Sequence, residues 1–364
     1  KIWQFTDNIM AYTNIDDPSA YFQTATYTGD GSTSLAITND GNSDLKPDFA
    51  WFKRRDAAVN HSLFDSSRGA TKMLYSDLTN AEYTNAQSLK TFNTDGFTLG
   101  NYGTINVGSG TFVAWQWKAN GGTVTTVAES GSNPGFTRQT NTTAGFSIIA
   151  YTGTGSNGTI AHGLPSTPEF IIFKRRNNAN FWCVWHQAIG DDYKLALQSS
   201  DGLDADGAFM ASTLPTSTNI TVGGASVNTN ADNGTYICYA FNPIQGYSKF
   251  GKYVGNANVN GPFVYTGFKP AWVMVKGITS NGYHWRIHDN KRDPHNEVQE
   301  RLTANSADAA YAGTSGNDYM DFLSNGFKLR STRSDMNVSA ITYVYFAFAE
   351  NPFVTSTGIP TTAR

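Results

Sequence analysis

Pro168-Glu-Phe-Ile-Ile-Phe-Lys-Arg-Arg176 is the stretch from which the fold is read. It opens on a proline, which fixes φ and lacks an N–H and so suits the first residue of a strand. Its apolar run is short and rich in β-branched and aromatic residues, which predicts a core strand and not a helix. The pattern occurs twice more, as Pro47-Asp-Phe-Ala-Trp-Phe-Lys-Arg-Arg55 and, more loosely, as Pro270-Ala-Trp-Val-Met-Val-Lys276. Each copy ends its apolar run on a lysine.

Three further landmarks accompany each copy. Upstream stands a tyrosine-glycine turn: Tyr27-Thr-Gly29, Tyr151-Thr-Gly153 and Tyr253-Val-Gly255. Downstream stand Asp95-Gly-Phe-Thr-Leu-Gly100, Asn219-Ile-Thr-Val-Gly223 and Asn325-Gly-Phe-Lys-Leu329. Each set closes on an aromatic strand: 111–117, 235–241 and 342–348. The copies begin roughly 100 to 120 residues apart, which is the size of one small β domain and too long for a solenoid repeat. The expected architecture is all-β: three tandem homologous β-sandwich units, jelly-roll-like, of roughly 100 residues each. The boundaries read as an N-terminal arm over 1–20, units over 21–120, 145–245 and 246–353, a linker over 121–144 that carries a hairpin signal, and a tail over 354–364. Residues 76–90 read as a long loop, and the best helical signal, 298–305, amounts to a turn or two. The closing strand 111–117 is apolar on both faces, which places it in the middle of a sheet.

Composition narrows the function. The chain has 364 residues, 15% charged and 13% aromatic, with a net charge of −3. Without a basic excess there is nothing to neutralise phosphates, so nucleic acid is not an expected partner. No apolar run is long enough for a membrane-spanning helix, and no insertion is expected. The opening Lys-Ile-Trp-Gln-Phe has no signal-peptide pattern, and the chain reads as a processed or truncated piece of something longer. The two cysteines, Cys183 and Cys238, are expected as buried free thiols, with a disulfide the alternative.

Chemistry-bearing groups are sparse. His61, Ser62 and Asp65 lack the strand–turn–helix context of a nucleophile elbow, and His61 aligns with Trp182, so no catalytic set is expected there. The glutamates Glu82, Glu169, Glu297 and Glu300 do not recur between units, which argues against the carboxylate pair of a glycosidase. No histidine spacing fits zinc. No cofactor is expected; Asp191-Asp192 and Asp204-Ala-Asp206 offer oxygen ligands for calcium without an EF-hand loop. Asp65 and Arg68, matched by Asp289 and Arg292, sit in a strand-exit loop. They fit an Asp–Arg bond that holds the loop, or else a polar pair for a glycan. Trp182 and Tyr283, placed near the loop ends of their strands, are the aromatic candidates for stacking on a sugar.

A resemblance rests on His162-Gly-Leu with Pro168 to Lys174, Asp17-Pro-Ser-Ala-Tyr-Phe22, Phe64 to Lys72, Phe97-Thr-Leu99, Tyr247-Ser-Lys-Phe-Gly251, Gly261-Pro-Phe263, Lys291-Arg-Asp-Pro294 and Ala349-Glu-Asn-Pro-Phe353. With these motifs the chain resembles a family of uncharacterised structural proteins of marine bacteriophages over nearly its whole length. The resemblance implies a virion component at the particle surface, a tail fibre or adhesin without enzymatic activity. Its implied partners are other virion proteins and a host-surface glycan, with a homotrimer or a pseudo-trimer within one chain as the oligomeric alternatives. A carbohydrate-binding module, a capsid decoration or head-fibre protein and, last, a glycan-degrading enzyme are the other readings.

Overall fold

In the computed structural model, residues 11–311 and 319–361 are described. The fold is all-β, with antiparallel pairing throughout and two one-turn α-helices, Gly103–Asn106 and Ser334–Asn337, among the described residues. Each tandem stretch holds one larger sheet, and the three larger sheets share one strand order. In the first it is Phe22–Thr28, Thr111–Trp117, Phe49–Arg54, Ser62–Asp65. In the middle it is Phe146–Thr152, Thr235–Phe241, Phe170–Arg175, Trp182–His186. In the last it is Ser248–Val254, Thr342–Pro352, Phe268–Gly277, Arg286–Asp289. These strands are called opening, closing, core and following below.

The linker stretch 121–144 is built into the middle sheet. Its strands Thr125–Val127 and Phe136–Asn141 pair in series onto the opening strand, Phe136 opposite Tyr151. Two expectations are corrected. The long loop over 76–90 contains the strand Tyr83–Thr84 and the start of Leu89–Phe92. The helical turn over 298–305 is instead extended, with the strand Leu302–Thr303 paired to Arg286–Asp289. Its apolar residues alternate to meet a neighbouring sheet, and this burial overrides a weak helical propensity.

Each closing strand is buried on both faces, and in the first and last sheets alternation divides its side chains between two cores. In the first sheet, Ala114 joins Ala50, Phe52, Phe97 and Leu99 beneath the smaller sheet that contains Phe97–Leu99. In the last, Tyr343, Tyr345 and Ala347 join Val273, Val275, Phe327 and Leu329 in the same way. The opposite faces carry Trp115 and Trp117 in the first sheet, Tyr239 and Phe241 in the middle, and Phe346 and Phe348 in the last, all in one shared core. Three ring pairs cross between sheets there: Phe49 to Tyr239 at 4.5 Å, Trp272 to Trp115 at 6.3 Å and Phe170 to Phe346 at 4.0 Å. Burying one such ring stabilises by roughly 1.5–3 kcal/mol, so this shared core is a main source of cohesion between the sheets.

The tyrosine-glycine landmark has one physical cause in all three places. The tyrosine hydroxyl donates to a carbonyl just before the closing strand: Tyr27 to Ile105 at 2.8 Å, Tyr151 to Thr229 at 2.5 Å, Tyr253 to Met336 at 2.8 Å. The glycine lets two backbones touch. A Cβ on Gly29, Gly153 or Gly255 would fall 2.3, 2.3 or 2.1 Å from the carbonyl oxygen of Val107, Ala231 or Val338.

Candidate functional site: the junctions between sheets

The side chains that the sequence singled out meet where one sheet abuts the next. Asp65 ends its following strand opposite Phe49, and Asp289 ends the corresponding strand opposite Trp272. One carboxylate oxygen of each accepts from the backbone N–H three residues on, Arg68 at 2.8 Å and Arg292 at 2.9 Å. The other accepts from the Nε of the same arginine. Each guanidinium also donates to the carbonyl two residues before its aspartate, Leu63 or Ile287, both at 3.1 Å. The neighbouring sheet completes the site. Tyr239 of the middle sheet donates to Asp65 at 2.6 Å, and Trp115 of the first sheet donates to Asp289 at 2.9 Å.

A bidentate arginine–glutamate pair lies beside each. Arg176 of the middle sheet holds Glu82 at 2.8 and 3.0 Å, and Arg55 of the first sheet holds Glu300 at 3.0 and 2.8 Å. Glu82 also meets Arg68 at 3.1 Å, and Glu300 lies 3.9 Å from Arg292. Burial works against the charge on Arg68, but Asp65, Tyr239 and Glu82 together outweigh it and hold the guanidinium pKa above its ordinary value. Burial likewise opposes ionisation of Glu82, and Arg176 and Arg68 reverse that and keep it a carboxylate.

The third junction is built without the acid–arginine set. His186 stands where the aspartates stand, opposite Phe170, and its Nδ1 accepts from Ala188 N–H at 3.0 Å. Ile189 takes the arginine's place and Ile278 that of Arg55 and Arg176. Phe346 of the last sheet meets the imidazole edge-on at 5.3 Å. Burial pushes the His186 pKa down to about 3.

Two more sets of contacts run the same way round. The lysines that end the three core stretches are buried and reach across junctions. Lys53 donates to Ala307 O at 3.0 Å, Lys174 to Thr79 O at 2.8 Å and Lys276 to Ser200 O at 2.9 Å. Each also holds a carbonyl near its own sheet: Arg54, Asn180 and Tyr283. Burial lowers their pKa values to about 8, 7 and 7. One residue before each following strand, or at its start, the rings of His61, Trp182 and Trp285 bond Thr303 O, Tyr75 O and Ala196 O at 2.9, 2.8 and 3.0 Å. In every set the first sheet reaches the last, the middle reaches the first, and the last reaches the middle. The three junctions therefore form a closed cycle.

This geometry corrects the glycan assignment. Trp182, Asp65, Arg68, Asp289 and Arg292 are buried, each loop being covered by the neighbouring sheet, and no surface ligand reaches them. Tyr283 is half-buried and packs edge-on against Tyr343 at 6.0 Å. Glu82 and Glu300 occupy corresponding places, contrary to the expectation that the glutamates do not recur. The correspondence is hidden in the sequence because Glu82 follows Tyr75 whereas Glu300 precedes Thr303, so only the fold aligns them. Both His61 ring nitrogens are engaged, Nδ1 accepting from Trp51 Nε1 at 2.8 Å. Asp204 and Asp206 each give one carboxylate oxygen to Lys194, at 2.5 and 2.6 Å. Among the described residues no three His, Cys, Asp or Glu side chains converge as a metal site. Cys183 and Cys238 are both buried free thiols.

One set of residues went unread. Asn106, Asn230 and Asn337 each accept from the N–H after the turn glycine, at 2.9, 3.0 and 2.8 Å. Each donates to the backbone carbonyl three residues after that glycine, of Ser32, Ser156 or Asn258. Their signal was available, since all three stand the same distance before the closing strand's first threonine.

Fold and junctions thus define an all-β protein whose three larger sheets close around a shared core. The chain belongs to the family described as Domain of unknown function (DUF7483), which matches residues 17–352. It matches no curated protein.

Proposed function

We propose that this chain is a non-enzymatic structural component of a bacteriophage virion, a tail fibre or adhesin that serves assembly and host-surface attachment. In this reading the three larger sheets are copies of one sandwich unit, arranged as a pseudo-trimer within a single chain. The observation that carries it is the use made of the buried polar groups. The lysines, arginines and acids that a catalytic or ligand-binding cleft would employ are engaged in bonds from sheet to sheet. A scaffold in which each sheet holds the next suits a rigid particle component that works by contact. Other virion proteins are the expected partners.

Two measurements test this. Light scattering on the isolated chain should give the single-chain mass of 39.6 kDa; a mass three times larger would replace the pseudo-trimer with a homotrimer. Immunogold electron microscopy with an antibody to the chain should label the particle surface, and particles free of label would refute the virion role.

A further inference from the structure

We infer that the open cleft lined by Tyr75, Tyr83 and Tyr102 binds a neutral sugar. The cleft has a volume of about 490 Å³ and sits where the first sheet's 75–84 segment meets the loop of the middle sheet at Ala179. That volume lies within the usual range for small-ligand sites, roughly 300–1,000 Å³. Tyr83 is 47% exposed, and its ring lies 6.4 Å from that of Tyr102, tilted by 38°. Tyr75 and Tyr102 line the same cleft. The lining therefore offers apolar ring faces with hydroxyl tips, and Asn80 adds an exposed amide.

The platform is held rigid from behind. Thr79 O accepts from Lys174 Nζ and from Asn180 N–H, both at 2.8 Å, and Glu82 N–H donates to Arg176 O at 2.8 Å. The same junction that buries Trp182 thus fixes the rings before any ligand arrives, which lowers the ordering cost of binding. Two observations select a neutral, hydroxyl-bearing occupant. Glu82, the one acidic group in the lining, is already paired with Arg68 and Arg176, so the cleft presents no unpaired charge to an ionic ligand. The strand beside it, Tyr83–Thr84, pairs over two residues with Lys72–Met73, too short an edge to template a peptide strand.

This inference deepens the attachment part of the proposed function. It is tested on the isolated chain, so its failure is distinct from failure to find the chain in particles. The intact chain is applied to an array of immobilised neutral glucans, galactans and mannans, with sialylated and sulfated oligosaccharides alongside. The expected result is binding to at least one neutral glycan, weakened about tenfold by Tyr83→Ala, as loss of one ring contact of about 1.4 kcal/mol implies, and restored by Tyr83→Trp. Tyr265→Ala, an equally exposed ring elsewhere, should leave binding unchanged. Thermal melting of Tyr83→Ala should match the parent chain, since that ring is half in solvent. Failure to bind any neutral glycan, binding confined to charged glycans, or equal binding by Tyr83→Ala would overturn the inference.

Discussion

The junction between the first and middle sheets and the junction between the middle and last sheets are built on corresponding positions with opposite chemistry. The first holds Asp65, Arg68, Glu82, Arg176 and the Tyr239 hydroxyl. The second holds His186, Ile189, Ile278 and Phe346. Backbone pairing is the same in both, Phe49 opposite Asp65 and Phe170 opposite His186. The position therefore does not demand charge. It demands an acceptor for the N–H groups at the strand exit and enough volume to fill the junction. Buried ion pairs are often matched in stability by apolar residues of similar size, and removal of one partner is what destabilises.

The largest effect expected from this comparison is Arg68→Met, which strands the Asp65 charge and should cost about 3–5 kcal/mol in urea unfolding. Transplanting the middle sheet's chemistry, Asp65→His with Arg68→Ile, should cost less than half as much. Equal losses for the two variants would break the correspondence between the junctions. Trp182→Phe comes next. It leaves the Tyr75 carbonyl without its donor and should cost about 1–3 kcal/mol, whereas Phe181→Leu at the exposed neighbouring position should be near neutral.

Acid separates the two junctions further. Folded His186 titrates at about 3, below its unfolded value of about 6.5. Its contribution to stability is complete above the unfolded value and is lost as pH falls towards 3, by up to about 1.4 kcal/mol per pH unit. His186→Leu should therefore reduce the loss of stability measured between pH 6.5 and 4; an unchanged acid slope would place the sensitivity elsewhere. The lysines act in the alkaline range at all three junctions. Their folded values of about 7 to 8 lie below the unfolded value of about 10.4. The unfolded chain then binds more protons between those limits, so stability should rise with pH there. Lys174→Met should flatten that rise. The smallest effect belongs to Arg54→Ala, whose pair with Asp56 is largely in solvent and contributes about 0–1 kcal/mol.

Much of the fold was legible because strand signals are local. Proline at the head of each core stretch, alternation along the closing strands and glycine at each tyrosine turn follow from short-range sterics. The Asp–Arg loop bond was legible for the same reason, since both partners lie on one turn. Its cover was not. Tyr239 comes from another sheet more than a hundred residues away, and no local pattern states that the loop is roofed. Trp182 was misread as an accessible ring because a strand-end tryptophan looks alike whether its indole N–H meets water or Tyr75 O. The tyrosine cleft escaped notice because its rings are spread along the chain at Tyr75, Tyr83 and Tyr102, and only the fold brings them together.

The amino-acid sequence alone determined that this chain forms three similarly patterned sets of strands, because a period of two and a fixed turn chemistry are properties of neighbouring residues. Only the tertiary structure decided what the second apolar face of each closing strand was for. A face apolar enough to be buried does not name its partner. That choice depends on shape and on the satisfaction of buried lysines, indoles and carboxylates by carbonyls and hydroxyls from sheets far away in the chain.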